Sequence, residues 1–489
     1  MNDIDFVDTT LRDGDQSLWG YTTTTGMILP IATLLDQSGF RSVEPDGLIS
    51  AKTRIRELHE EPWDRMSRLA RIMTRTPLSV MSGCSAGQFG VAPLAFRKLR
   101  LECIAAKGIR RTQITGFLND MRFMVPETLQ HARKIGLETV LGLVYTVSPK
   151  HTDEYYVRKT REALQLQPDR LYLKDPGGLL TPERIKTIIP AILAESGDVP
   201  VELHSHCTTG LGPLCYLEAM QLGIRTFHTG IPPLANGPAL PSVLNVARNA
   251  RLLGFNPQID EELVKRIADH FRFIARREGR VQGAPLEYDY GQYLHQTPGG
   301  VISNLKRQLG QMRMGGRLDD VLRDTIQVRQ DLGYPIMVTP FSQHVVTQAT
   351  INVMLGERYR QVTDELLQFC LGYFGEEASS GVDPEVKEMI LSRPRAKELA
   401  DRERTEPSLA ELHDQVGGGD LSDDEFVLRY MLGGDSDLKA MRPAPPIREY
   451  PLLGNNPLLV LVAELGKRKE LQHLELKKNG LSLLVKKQG

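Results

Sequence analysis

Residues 170–206 read RLYLKDPGGLLTPERIKTIIPAILAESGDVPVELHSH. The stretch opens on an apolar run, Arg170-Leu171-Tyr172-Leu173, and closes on another, Val201-Glu202-Leu203, both rich in residues that favour buried strands. Between them Thr181-Pro182 starts a helix, with threonine as cap and proline in the first turn. Strand, helix and strand within roughly 30 residues make one parallel βα unit. Outward from it the unit recurs from residue 3 to about 255, with strands beginning near Ile4, Ser42, Leu78, Thr112, Glu138, Leu171, Val201 and Ile224. Amphipathic segments fill the intervals. Residues 27–35 run towards Gly39 and residues 214–222 to Gly223, where glycine can take the left-handed cap conformation. Eight such units predict an α/β fold, a TIM (β/α)8 barrel, whose chemistry lies at the C-terminal ends of its strands. An open doubly wound sheet would need a glycine-rich dinucleotide turn after the first strand, and Gly14-Asp15-Gln16-Ser17-Leu18-Trp19-Gly20 lacks that pattern.

Four residues, Asp13, Lys174, His204 and His206, fall where an apolar run gives way to a glycine-containing turn, Asp13 coming after Ile4-Asp5-Phe6-Val7-Asp8. Side chains alternate along a strand, so His204 and His206 share a face while Ser205 and Cys207 point away. Two neutral imidazoles and a carboxylate suit a divalent cation, with zinc, manganese or cobalt favoured. Lys174 is the odd member, because a protonated amine repels a cation. Addition of carbon dioxide makes it a carbamate, a carboxylated lysine that is anionic and offers two oxygens. That chemistry suits an enzyme that handles carboxyl groups.

The chain of 489 residues is long enough for two or three domains. Sixty Lys and Arg balance 61 Asp and Glu, so nothing points to a polyanion, and no nucleic acid partner is expected. Met1 leads within three residues into the first strand, and no apolar run reaches the ~20 residues of a membrane span. A cytoplasmic protein with no integral membrane segment is expected. Five cysteines, Cys84, Cys103, Cys207, Cys215 and Cys370, show no paired spacing and read as reduced thiols. The expected division is a metal-bearing barrel over 1–260, a mostly helical domain over 261–440, and a linker with a small helix and hairpin over 441–489. Residues 261–277, 318–332 and 343–355 are the clearest helices of the second unit. The charged stretch 393–425, with Gly417-Gly418-Gly419, reads as mobile, and Arg442-Pro443-Ala444-Pro445-Pro446 as a semi-rigid linker. Beyond it, 458–464 reads as a helix and 471–485 as a hairpin turning at Asn479-Gly480.

The motifs carry a resemblance. Asp8-Thr9-Thr10-Leu11-Arg12-Asp13-Gly14-Asp15-Gln16 resembles the opening of the metal-dependent barrel superfamily of isopropylmalate synthases, hydroxymethylglutaryl-CoA lyases and biotin-dependent pyruvate-type carboxyltransferases. Tyr172-Leu173-Lys174-Asp175-Pro176-Gly177-Gly178-Leu179-Leu180 is similar to the carboxyltransferases' Lys-Asp-Met-Ala-Gly-Leu-Leu, whose lysine is a carboxylated metal ligand. Leu203-His204-Ser205-His206-Cys207-Thr208-Thr209-Gly210-Leu211 is similar to their His-x-His-x-Thr-Thr-Gly, where the lyases and synthases usually carry His-x-His-Asn-Asp. Gln296-Thr297-Pro298-Gly299-Gly300-Val301-Ile302-Ser303-Asn304-Leu305, Val338-Thr339-Pro340-Phe341-Ser342-Gln343 and Gly356-Glu357-Arg358-Tyr359 resemble second-domain motifs. Those motifs belong to the oxaloacetate decarboxylase α subunit, the carboxyltransferase subunit of multi-subunit pyruvate carboxylases and transcarboxylase's pyruvate-handling subunit. The likeness spans roughly residues 4 to 435.

It implies a carboxyltransferase subunit of a multi-subunit biotin-dependent carboxylase or decarboxylase, moving carbon dioxide between carboxybiotin and an enolisable carbon acid. By position Arg12 resembles the arginine that donates to the biotin ureido or enolate oxygen, Gln16 the glutamine lining the pocket, and Thr208 the threonine that shuttles a proton. Taken singly, Arg12 reads equally as an ion-pair residue, Thr208 as a strand-end hydroxyl and Lys174 as a solvated rim charge. No Ala-Met-Lys-Met biotinyl signature is present, so biotin would arrive on a separate carboxyl carrier protein charged by a biotin carboxylase subunit. Residues 458–485 weakly resemble the segment before a biotinyl domain in carrier proteins, which suits docking to the carrier as well as simple packing. The resemblance also implies homo-oligomers.

Four strand exits depart from the pyruvate-handling pattern. Val80-Met81-Ser82-Gly83-Cys84-Ser85 lacks the arginine of Leu-Leu-Arg-Gly, and Ile114-Thr115-Gly116-Phe117 lacks Phe-Asp. Glu44-Pro45-Asp46-Gly47 stands for Glu-x-Trp-Gly-Gly, and Ile231-Pro232-Pro233-Leu234-Ala235-Asn236-Gly237-Pro238 for a Ser/Gly-rich loop. A metal set kept beside a rebuilt pocket predicts an acceptor other than pyruvate. The alternatives are a metal-dependent aldol or Claisen lyase of the hydroxymethylglutaryl-CoA lyase kind, which needs no carbamate at Lys174, and a scaffold without turnover.

Overall fold

The structure, a computed structural model, describes residues 2–82, 85–86, 90–401, 406–442, 447–448, 450–452, 461, 465, 473–478 and 481–486. Eight parallel strands alternate with helices: Asp3–Asp8 (β1), Ser42–Val43 (β2), Ser79–Met81 (β3), Arg111–Thr115 (β4), Glu138–Val144 (β5), Arg170–Asp175 (β6), Val201–Ser205 (β7) and Thr226–Thr229 (β8). Neighbours pair in sequence order from β3 to β8, β8 pairs β1, and β1 pairs β2. A single parallel bridge, Val43 to Leu78, completes the nearly closed barrel. β2 is short because Pro45 has no N–H to give a ladder.

Helices cover the outside through apolar faces, as in Pro182–Ser196, which buries Ile185, Ile188, Ile189 and Ile192 and is capped by Thr181 accepting from the Arg184 N–H at 3.1 Å. The helix expected over 27–35 is broken into Thr25–Ile28, a tight turn Leu29–Ile31, and Ala32–Gln37. Pro30 lacks the N–H that would carry it through. Gly39 and Gly223 have φ of 88° and 115°, in the left-handed region.

Packing groups the remaining elements into two hydrophobic cores. Helix Glu261–Glu278 starts after its cap Asp260, and its Val264, Ile267, Phe271 and Ile274 pack into the barrel core. Phe426, Leu428, Leu438 and Met441 return to that same core late in the chain. The second core is built from Gly299–Gln311, Leu318–Asp331, Phe341–Leu355 and Asp364–Cys370, with Leu305, Val328, Phe341 and Phe369 at its centre. Leu118 and Val144, at the C-terminal rim of the barrel, belong to this second core, so the helical unit sits on the face where the strands end.

The stretch read as mobile carries helices Pro394–Ala400 and Leu409–Gln415, the latter with a capping box between Ser408 and Glu411. The capping box fixes the start of Leu409–Gln415, which a count of charges does not reveal. The expected hairpin forms from His473–Lys478 and Leu481–Lys486, antiparallel with Lys478 opposite Leu481. Its turn at Asn479-Gly480, most of the 458–464 helix and residues 443–446 of the linker lie outside the described residues. No helix among the described residues is long and apolar enough to cross a membrane.

Candidate metal centre

Asp8 ends β1 and anchors the next turn, accepting from the Thr10 hydroxyl at 2.5 Å. The chain then winds through wide π-type turns, Thr10–Trp19, which present Arg12, Asp13 and Gln16 to the barrel mouth. The sequence suggests a simple turn here. Gly14 lets the winding approach the loop after β8, where a Cβ would collide with the Leu234 carbonyl oxygen.

Asp13, His204 and His206 converge, all buried, with one ligand atom each within 4.8 Å of the others. His204 Nε2 stands 3.4 Å from Asp13 Oδ2, and His206 Nε2 3.4 Å from Oδ1. The first contact lacks hydrogen-bond alignment, and His204 Nε2 is buried without a hydrogen-bond partner. His206 Nδ1 donates to the Pro238 carbonyl at 2.6 Å, which turns Nε2 to Asp13, and the Asp13 charge outweighs burial and raises His206. Burial would raise the Asp13 carboxyl, but the charges of His206 and Arg12 overcome it and hold it well below the usual range. Burial pushes His204 well down, into the neutral form. A buried carboxylate, a neutral imidazole with an orphaned nitrogen and a second oriented imidazole fit a divalent cation. Cys207 is not among the converging ligands; its sulfur lies against Gly212.

Lys174 lies next to His204 in the β6–β7 register, and its Nζ rests 3.3 Å from the Met81 sulfur. The structure therefore brings three of the four expected ligands together and seats the fourth on the adjoining strand. Burial first, then the Arg12 charge, lowers Lys174 to about 8. Asp175, one residue on, shapes the glycine turn by accepting from the Leu179 and Leu180 N–H groups and the Ser205 hydroxyl. Gly178 has φ of 61°, and a Cβ there would strike the His206 oxygen at 2.7 Å.

Arg12 is gripped on two sides, Nε donating to Glu44 Oε2 at 2.5 Å and Nη1 to Asp13 Oδ2 at 2.6 Å, while Nη2 is buried without a hydrogen-bond partner. Thr208 Oγ1 is likewise buried and unpaired. Gln16 lines a pocket of about 170 Å³ together with Lys174, Ser82 and Thr115. Thr339, Phe341 and Gln343 of the helical unit line it as well.

Sequence reasoning missed several participants. Arg100, from helix Leu94–Ala106, lines the same pocket, so a cation is present although Ser82 stands at the β3 exit. Tyr21, at φ of 65°, brings a buried, unpaired hydroxyl to it. Behind the metal cluster His204 Nδ1 lies 3.1 Å from His228 Nδ1, and His228 Nε2 lies 2.8 Å from Glu202 Oε2. Only the alternation of β7, which puts Glu202 on the His204 face, was a signal for that chain.

Residues 3–270 match the HMGL-like family and residues 293–434 the conserved carboxylase domain. The chain is 33% identical over 394 residues to a pyruvate carboxylase subunit of Methanocaldococcus jannaschii, covering 79% of this chain and 68% of that protein. It is 29% identical over 408 residues to the methylmalonyl-CoA carboxyltransferase 5S subunit of Propionibacterium freudenreichii, covering 82% and 79%. With the 2-oxoglutarate carboxylase large subunit of Hydrogenobacter thermophilus it shares 28% over 433 residues, covering 86% and 66%. The carboxyl transferase domain of Rhizobium etli pyruvate carboxylase superposes with a TM-score of 0.81 at 20% identity, over 100% of this chain and 84% of that one.

Proposed function

We propose, from the premise that this chain belongs to the HMGL-like family and within it to the carboxyltransferases of biotin-dependent carboxylases, that it transfers carboxyl groups between carboxybiotin on a separate carrier protein and an enolisable acid other than pyruvate. It is an enzyme of that class. The observation that carries the finer reading is the pairing of Lys174, its amine lowered by burial, with His204 beside the Asp13 and His206 cluster. A lyase would have no use for a carbamate there.

Asp13, His204, His206 and carboxylated Lys174 would hold a divalent ion, zinc, manganese or cobalt, which when bound supplies Lewis-acid stabilisation of negative charge on the acceptor oxygen. Arg12, fixed by Glu44 and Asp13, keeps an Nη2 without a partner, and we assign it to stabilising the same developing charge or the biotin ureido oxygen. Thr208 Oγ1 has no partner of its own and can both accept and donate, so it is the group we assign to moving the proton between biotin nitrogen and acceptor carbon. Gln16 lines the acceptor side. The carrier and a biotin carboxylase subunit are the partners this reading requires.

Reconstitution with a biotinylated carrier and carbon-14 bicarbonate tests it. Wild-type protein should transfer label and hold about one metal ion per chain, and His204→Ala should lose both while remaining folded. Full metal content in His204→Ala would refute the site.

A further inference from the structure

We propose that His228 is a positioning residue for the metal centre, holding His204 in the tautomer and ring orientation that leaves Nε2 free for a cation. The inference rests on the metal reading of Asp13, His204 and His206, and deepens it by one layer of side chains. His228 projects from β8 and is wholly buried. Its Nε2 meets Glu202 Oε2 at 2.8 Å, and its Nδ1 meets His204 Nδ1 at 3.1 Å.

The direction of each bond is set by the ends of the chain. Glu202 accepts from Arg111 Nη2 at 2.5 Å and from Arg170 Nε, and two guanidinium groups keep it an acceptor. His228 Nε2 must then be the donor to Glu202, which in a neutral imidazole makes its Nδ1 the acceptor. The hydrogen between the facing Nδ1 atoms therefore belongs to His204, and the remaining His204 nitrogen, Nε2, carries its lone pair towards Asp13 and His206. A carboxylate acting through a donated N–H raises the basicity of a ligating imidazole and fixes its plane. Here the carboxylate acts through a second imidazole. The Tyr172 ring lies parallel to His228 at 5.7 Å, inclined by 2°, so the intermediate ring is itself clamped.

His206 likewise has its Nδ1 fixed as a donor, here by a backbone oxygen, the carbonyl of Pro238. The two imidazoles are thus oriented by separate devices, and a change at His228 should disturb one ligand without the other.

Nitrogen-15 NMR of histidine-labelled, metal-free wild-type protein tests the chain directly, with His204 expected as the Nδ1–H form and His228 as the Nε2–H form. The opposite form at His204 would overturn the proposal whatever the metal content. His228→Phe keeps a ring against Tyr172 but offers no acceptor, and it should weaken Co2+ binding about 10- to 100-fold and shift the visible bands of the Co2+ protein. His228→Asn, whose Oδ1 can stand where Nδ1 stood, should recover most of both. Unchanged affinity and spectrum in His228→Phe would overturn the positioning role, as would His228→Asn behaving like His228→Phe. Wild-type protein that takes up no Co2+ would refute the metal reading instead, a separate result from the tautomer pattern.

Discussion

Lys174 carries the sharpest consequence at the level of single residues. With its amine lowered to about 8, roughly a tenth is uncharged at pH 7, and the uncharged form adds carbon dioxide. At fixed dissolved carbon dioxide the initial rate of carbamylation should rise about tenfold from pH 6 to pH 7 and level off above pH 8. Carbon-13 NMR of metal-free protein reads this, and a rate indifferent to pH would remove the lysine from the mechanism. Stability has its own sign. The folded value lies below the ordinary 10.5, so the contribution is complete above 10.5 and is lost as pH falls through about 8. Charging the buried amine should cost roughly 3 kcal/mol, and Lys174→Met should flatten that part of the stability curve. Thr208 separates hydroxyl chemistry from packing: Thr208→Ala should abolish transfer yet keep metal and fold, while Thr208→Ser keeps partial activity. Equal activity in the alanine variant would mean that the proton travels another way.

Among the elements, the strands were legible and the turns were not. The period of two along β7 announces that His204 and His206 share a face, and the structure has them do so. The π-type winding of Thr10–Trp19 has no such signature, because its form depends on the Asp8 carboxylate and on a loop 221 residues away. His228 was equally hidden, since its contact with His204 arises from the register between β7 and β8, which no local pattern encodes. Arg100 reaches the pocket from helix Leu94–Ala106, where nothing in the local sequence marks a pocket residue. The turn after β6 permits a direct test. At Gly178, φ of 61° and the approach of the His206 oxygen both exclude a side chain. Gly178→Ala should cost about 1–3 kcal/mol of stability and displace His206, lowering metal affinity as well. Unfolding curves and metal titration check the two effects, and an unchanged affinity would show that the turn does not position the ligand.

On the scale of the whole molecule, two cores meet where the barrel strands end, with Leu118 and Val144 of the barrel packed among the helices of the second unit. The second unit therefore contributes to the mouth, and Thr339, Phe341 and Gln343 line one pocket together with Lys174 and Gln16. That geometry bears on which acceptor fits. The described lining includes two cationic side chains, Lys174 and Arg100, and no carboxylate, with Leu48, Ile49, Val80, Ile104 and Met431 as apolar wall. Carboxylation of Lys174 would remove one of the cations and leave Arg100 as the cationic side chain of the described lining. At the β3 exit the residue is Ser82, which brings no guanidinium and bonds with Thr112. An arginine to carboxylate bond contributes about 1.5–3 kcal/mol, roughly ten- to a hundredfold in binding, and moving it to a helix moves the favoured position of the carboxylate with it. The acceptor expected is an enolisable acid, amide or thioester larger than pyruvate, with apolar bulk against Ile104 and Met431. With a reconstituted carrier, kcat/KM for such compounds should exceed that for pyruvate, and Arg100→Met should raise KM for acidic acceptors about ten- to a hundredfold while sparing kcat. If pyruvate heads the panel with an ordinary specificity constant, the rebuilt exits do not set specificity and the acceptor reading falls.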